Sequence, residues 1–409
     1  MNLKKLTISE WKQFQNLDID FHPRLTILTG ANGSGKTTIL NLLAQHFNWN
    51  IYELATPAKD KTSGLFKFFT RFFKTPLESN DSKIGEIKYD DGSIAVLQLP
   101  ATDSPQYLIQ ISNRQVLPGF NIPSHRSVFN YRAIVQIPVK KRHKEDAFNL
   151  VADSTRNSVL GGGSNQSIYH IKETLLGWAT FGYGNKVIQS DQEQIEYYEG
   201  FQDVLKKILP KSLGFKEFSI RNSEVVLITD SGDFMLDAVS GGVSALIDLA
   251  WQIYMFSTKE KSEFTVLIDE VENHLHATMQ RAILPDLLSA FPNVQFITST
   301  HNPLIVGSVK DSNVYVLKYN VNNKVDSLNL DLVNKAKTAS EILREVLGVP
   351  FSMPIWVEDK LNEITEKYSS AEINEANFNT MRSELGEMGL ESLVPQAISE
   401  ILDKKRSHD

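Results

Sequence analysis

Residues 28–43 read Leu-Thr-Gly-Ala-Asn-Gly-Ser-Gly-Lys-Thr-Thr-Ile-Leu-Asn-Leu-Leu. A β-prone run from Arg24 to Thr29 enters the stretch and an apolar helical run leaves it, so the glycines lie between a strand and a helix. Gly30, Ala31, Asn32, Gly33, Ser34, Gly35, Lys36 and Thr37 satisfy the spacing GxxxxGK[ST]. Glycines let the backbone turn tightly, so that successive N–H groups point at one place. The helix that begins there adds partial positive charge. Together these features predict a cradle for nucleotide phosphates. Lys36 is expected to reach the β- and γ-phosphates and the Thr37 hydroxyl to ligate Mg2+.

The chain of 409 residues allows two or three ordinary domains or one large fold with insertions. With 41% hydrophobic and 22% charged residues it has a soluble, globular composition. A formal net charge of -7 argues against a surface that coats nucleic acid throughout and leaves room for a local basic patch. The absence of cysteine excludes disulfides and thiolate metal sites. The N-terminus lacks the apolar stretch of a signal peptide and no run is long enough to span a bilayer, so the expectation is a cytoplasmic protein with no membrane partner.

Two β-like stretches precede the cradle, at residues 3–8 and 17–21. Between them, Lys12 fits either a phosphate contact from outside the loop or a solvated turn, with the turn preferred. Residues 66–74 interleave aromatics and bases. A buried amphipathic segment with snorkelling lysines is preferred there over a single-strand nucleic-acid contact. A hairpin follows, with strands at 84–89 and 94–99 around Asp90, Asp91 and Gly92. Gln136, in the apolar run 133–138, is a candidate contact for Mg2+ or for the attacking water. The basic run 140–144 is the best candidate DNA contact, weighed against a solvated face, which is preferred. Residues 145–209 have a helical pattern interrupted by the glycines at 161–163, and a second hairpin occupies 218–236.

The apolar strand Phe264-Thr-Val-Leu-Ile ends in Asp269 and Glu270. A buried parallel strand delivers its last residues to the ligand edge of an α/β sheet. Asp269 is therefore expected to hold Mg2+, and Glu270 to orient or deprotonate the attacking water. A helix over 275–290 and a second strand over 293–300 make a βαβ unit ending at His301, placed to sense the γ-phosphate. Ser240, Gly241 and Gly242 open another helix and form a second anion-binding turn. His274 and His276 lack further ligands at metal-site spacing.

The order cradle, Ser-Gly-Gly, strand with Asp-Glu, strand with His resembles the ABC-type ATPase heads of the RecF, SMC and OLD group. In detail, Leu-Ile-Asp-Glu-Val-Glu-Asn-His-Leu-His at 267–276 and Gln-Phe-Ile-Thr-Ser-Thr-His-Asn-Pro at 295–303 are similar to the compact bacterial AAA-family ATPases of the AAA15 and AAA21 kind. The resemblance covers residues 1–50 and about 235–310, and the middle only by order. It implies an α/β fold: an ABC-type P-loop head with a mixed β-sheet lobe, a helical insertion and no long coiled coil. The expected parts are an N-terminal lobe at 1–144, the helical insertion at 145–212, a C-terminal lobe at 213–334 and a helical region at 335–409.

The resemblance also implies a homodimer, or a larger even oligomer, built head to tail. ATP would lie on residues 30–38, Thr38 included, while Ser240, Gly241 and Gly242 of the second copy close over the γ-phosphate. Glu270 is then the catalytic carboxylate, His301 the switch, and Asn273 part of the loop joining the two sites. Val243 stands where Gln or Glu usually follows the glycines, and Val271 and Ala277 replace usual prolines. These departures bear on the hydrolysis rate more than on binding. No nuclease constellation is evident at 335–409, so any cutting activity is expected in another chain. The preferred expectation is a sensor ATPase that regulates a separate effector in antiphage defence, as in the stand-alone ATPases of the Septu, PARIS and some retron systems. The alternative is a RecF-like DNA repair or recombination clamp, which would bind DNA through local basic patches.

Overall fold

The computed structural model describes residues 1–59, 66–69, 83–100, 104–126, 129–163, 166–259, 261–348, 354–369 and 374–406. The chain divides into two compact units, Met1–Ile342 and Leu343–Asp409.

The first unit is built on one mixed sheet. Its strands are β1 (Leu3–Ile8), β2 (Phe14–Asp20), β3 (Leu25–Gly30), β4 (Lys83–Tyr89), β5 (Ile94–Gln98), β6 (Gln110–Ser112) and β7 (Gly119–Ile122). Three helices follow: α2 (Lys144–Val159), α3 (Ser167–Tyr183) and α4 (Gln192–Ile208), α1 (Lys36–Ala44) having come directly after β3. A small three-stranded sheet, β8 (Phe215–Arg221), β9 (Glu224–Thr229) and β10 (Phe234–Met235), leads to α5 (Gly241–Phe256). Then come β11 (Phe264–Ile268), α6 (Ala277–Ala290), β12 (Val294–Ser299), β13 (Asn313–Tyr319) and β14 (Val325–Asn329).

The large sheet runs in the order β6-β5-β4-β1-β2-β14-β13-β3-β12-β11-β7. From β13 to β7 the neighbours are parallel. On the other side, β6, β5, β4, β1 and β2 form an antiparallel meander. β3, β11 and β12 are buried along their whole length, as strands covered on both faces must be. Their register aligns Gly30 with Leu317, Leu28 with Ser299, and Thr298 with Ile268, which itself pairs Ile122. The residues that follow these strands therefore emerge together at one sheet edge, where ligands bind in open α/β sheets.

Helices α2, α3 and α4 occupy the insertion read as helical, and the glycines at 161–163 follow α2 directly. Trp178 of α3 stacks on Trp251 of α5 with ring centroids 5.8 Å apart, so the insertion shares a core with the helix that starts at Ser-Gly-Gly. The basic run 140–144 is engaged within the chain. Lys141 pairs with Asp191 (2.8 Å) and Glu193 (2.5 Å), and Arg142 with Glu173 (2.9 Å). Lys144 donates to the Ser257 carbonyl (2.6 Å) and lies over the Tyr254 ring. Lys141, Arg142 and Lys144 thus have partners within the chain, while Lys140 and His143 are exposed. Residues 66–69 pair as a strand with Thr56–Lys59, and the remainder of that aromatic and basic run lies outside the described residues.

The second unit contains α7 (Ile355–Ser369), α8 (Glu375–Glu387) and α9 (Val394–Arg406). Leu361, Ile364, Met381, Leu385 and Ala397 give it a core of its own. Among the described residues no helix is long and apolar enough to cross a membrane.

Candidate functional site

The cradle joins β3 to α1. Gly30 has φ 142° and Gly35 φ 95°, both in the region that favours glycine. A Cβ at Gly30 would stand 2.4 Å from the Leu317 carbonyl oxygen, and one at Gly35 2.3 Å from the Phe14 ring. Only glycine fits at either point. Gly33 accepts a hydrogen bond at its carbonyl from the Tyr319 hydroxyl (3.0 Å), which ties the loop to the end of β13. Lys36 is buried and its ammonium donates to the carbonyls of Gly30 (2.9 Å) and Ala31 (3.2 Å), so it folds back over the loop it is expected to serve. Burial pushes its pKa down, against the opposing pull of Glu270, Asp269 and Glu272. Thr38 occupies the first turn of α1 beside Thr37.

The Thr37 hydroxyl donates to the Asp269 carboxylate, 3.0 and 3.2 Å from its two oxygens. Ser299, at the end of β12, donates to the same carboxylate and accepts from the Glu270 N–H (2.8 Å). Nothing in the sequence singled out Ser299, because a serine at a strand end carries no motif. These residues fit a divalent cation beside phosphates. The side-chain donors are hard oxygens, the loop excludes a Cβ at Gly30 and Gly35, and the buried Ser34 hydroxyl lacks a hydrogen-bond partner among the described residues.

Glu270 adopts φ 45°, left-handed for a non-glycine residue. Its carboxylate is partly exposed, accepts from Asn273 Nδ2 (2.8 Å) and lies 3.9 Å from His301 Nδ1. His301 is also 3.4 Å from Glu272, whose buried carboxylate accepts the His301 backbone N–H at 2.9 Å. The two residues expected to be catalytic therefore stand side by side. Asn273 also donates to the Ser124 carbonyl (2.9 Å), and His276 caps α6 by accepting from the Thr278 N–H.

Ser240 caps α5, accepting from the Val243 N–H, and is exposed with Gly241 and Gly242 beside it. A Cβ at Gly242 would lie 3.1 Å from the His274 carbonyl oxygen, so this turn packs on the segment that follows Glu270. Among the described residues no hydrogen bond or ion pair joins residues 240–242 to the cradle of the same chain.

Two residues weighed from the sequence stand apart from these contacts. Gln136 is exposed in a segment without regular structure, and among the described residues no hydrogen bond ties it to Thr37 or Asp269. The apolar run around it is exposed too, with Val135 at 86% and Val139 at 85%. Those residues follow the end of the sheet's edge strand β7. Lys12 pairs with Glu53, neither contacting the cradle loop nor standing free.

Septu protein PtuA of Bacillus mycoides (strain KBAB4) is 24% identical over 342 residues, 78% of this chain and 40% of that protein. Septu protein PtuA of Bacillus thuringiensis is 20% identical over 382 residues, 87% of each chain. The Retron Ec83 probable ATPase of Escherichia coli is 26% identical over 195 residues, 45% of this chain and 34% of that protein. The chain thus spans less than half the length of two of these relatives. Among solved structures, the SMC head domain from Thermotoga maritima has a TM-score of 0.42 and 16% identity, covering 81% of this chain and 100% of that one. The AAA domain family AAA_23 matches residues 5–385, nearly the whole chain, and the chain belongs to that family.

Proposed function

We propose that this chain binds and hydrolyses ATP as one half of a head-to-tail dimer, and that the closed dimer regulates a separate effector of the nuclease class in antiphage defence. The observation that carries the reading is the convergence of Thr37, Asp269, Glu270 and His301 at one sheet edge beside the glycine cradle. Mg2+ held by Thr37 and Asp269 would offset phosphate charge. The chain's own residues supply the rest. Lys36 meets the phosphates, and Glu270 presents a water-accessible carboxylate held by Asn273. His301 stands beside that carboxylate and is itself anchored through Glu272.

The exposed Ser240 turn, unconnected to the cradle of its own chain, supports a second copy as the closing half. Likeness to a Septu protein over 87% of both chains supports the defence role and a separate effector. The DNA-clamp reading leaned on residues 140–144, whose Lys141, Arg142 and Lys144 have partners within the chain.

The test combines ATP turnover with capture. Wild type is expected to hydrolyse ATP, Lys36→Ala to lose binding, and Glu270→Gln to bind without turnover and to stay dimeric. Affinity capture of Glu270→Gln with ATP from its own host is expected to bring a stoichiometric nuclease- or toxin-like chain. DNA with repair proteins and no such chain would replace the defence role with a clamp of RecF type. Turnover by Glu270→Gln at the wild-type rate would remove Glu270 from the chemistry.

A further inference from the structure

We infer that Arg126 is a positioning residue for Glu270: its guanidinium gathers the carbonyls of the turn after β11 and thereby sets where the Glu270 carboxylate points. The inference rests on the reading of Glu270 as the hydrolytic carboxylate.

Arg126 follows the edge strand β7 and is only 3% exposed. It makes no ion pair among the described residues. One terminal nitrogen, Nη2, donates to the carbonyls of Asp269 (3.1 Å) and Glu270 (3.1 Å). The other, Nη1, donates to those of Val271 (3.4 Å) and Asn273 (3.3 Å). The left-handed Glu270 turns these carbonyls toward one buried point, which needs a donor for each of them. A planar fork with five N–H groups can serve four acceptors at once, whereas an ammonium with three cannot. Burial lowers the pKa of the guanidinium to about 10, which leaves it charged at neutral pH.

The same short segment holds the other end of the turn. The Ser124 carbonyl accepts from Asn273 Nδ2, and that amide also donates to the Glu270 carboxylate. On its remaining side Arg126 is attracted to Asp248 of α5, whose Oδ1 is buried without a hydrogen-bond partner among the described residues. Helix α5 begins at the Ser-Gly-Gly turn. Arg126 therefore holds the turn that carries Glu270 and is drawn electrostatically to the helix that carries Ser240. In a head-to-tail dimer those two serve different ATP sites.

The test is Arg126→Lys in the full chain, with Mg-ATP turnover and binding of a non-hydrolysable ATP analogue measured together. Displacing a reacting group by about 1 Å costs on the order of 10²-fold in rate. The expected result is kcat lowered by about tenfold or more, with KM and analogue affinity changed by less than about threefold. In a Glu270→Asp background, where the carboxylate is already displaced, Arg126→Lys is expected to add less than about threefold. A kcat within about twofold of wild type, or losses that multiply in the double variant, would overturn the inference. If Arg126→Lys does not fold, Arg126→Gln combined with Asp248→Asn removes both buried charges together and takes its place in the same measurements. Wild-type turnover that is lost in Glu270→Gln upholds the ATPase reading whatever Arg126 does, so the two failures are separable.

Discussion

Charge reversal at Arg142 separates a structural seam from a DNA contact. The Arg142 guanidinium lies 2.9 Å from Glu173 Oε2 and donates to Thr174 Oγ1 at 2.5 Å, and the two charged side chains are 13% and 10% exposed. Arg142→Glu would place two carboxylates about 4 Å apart, which at an effective dielectric of about 20 repel by roughly 4 kcal/mol. Removing one partner of a buried pair independently suggests about 3–5 kcal/mol. We expect a loss of about 4 kcal/mol, nearly a thousandfold in the folding equilibrium. Lys140 is exposed and has no partner among the described residues, so Lys140→Glu should stay within about 0.5 kcal/mol of wild type. Urea unfolding followed by tryptophan fluorescence is the assay, because the Trp178 indole donates to the Arg142 carbonyl at 2.9 Å. The midpoint should fall without a change in slope. Suppose instead that Arg142→Glu unfolds within about 1 kcal/mol of wild type and binds DNA more weakly with a shallower salt dependence. The seam would then be a phosphate contact and the reasoning wrong.

Three further outcomes are expected. Lys172 donates to Asp237 (2.6 Å) and the Arg132 carbonyl (2.9 Å) and pairs with Glu224 (2.7 Å), so Lys172→Met should cost about 3–5 kcal/mol in urea unfolding and less when Asp237→Asn is added. Burial holds Lys144 at a pKa of about 7, far below the usual lysine value, so between about pH 7 and 10 the unfolded chain binds a proton that the folded chain does not. Stability should therefore rise with pH across that window by on the order of 1.4 kcal/mol per unit, a slope that Lys144→Met should remove. Gly35→Ala would force a Cβ to 2.3 Å from the Phe14 ring at φ 95°, so equilibrium dialysis should show nucleotide binding lost and unfolding should show a cost on the order of 1–3 kcal/mol.

Much of the site was legible because its chemistry is local. Gly30, Gly35, Lys36 and Thr37 lie within one strand-turn-helix junction, where backbone geometry demands glycine at Gly30 and Gly35. Asp269 and His301 were readable because each follows an apolar strand, and parallel strands must end at a common edge. The hairpin across Gly92 and the helices of the insertion followed from turn chemistry and periodicity. Gln136 was readable only as a polar residue in an apolar run, and its exposure with Val135 and Val139 is set by the fold. The partners of the basic run 140–144 were not readable, since a list of charges does not say which carboxylates will face them.

By itself, the sequence determined that a glycine turn would join a strand to a helix, and that a second apolar strand would carry two acids. Those outcomes depend on residues close together in the chain. Only the tertiary structure decided that Ser299 would hold Asp269, that Arg126 would hold the carbonyls of the Glu270 turn, and that Lys141, Arg142 and Lys144 would find partners within the chain. Arg126 and Glu270 are 144 residues apart in sequence, and what joins them is the parallel pairing of β7 with β11. A buried guanidinium is tolerated only where acceptors converge on it, and the carbonyls around Arg126 converge only once the sheet has brought the strand ends together.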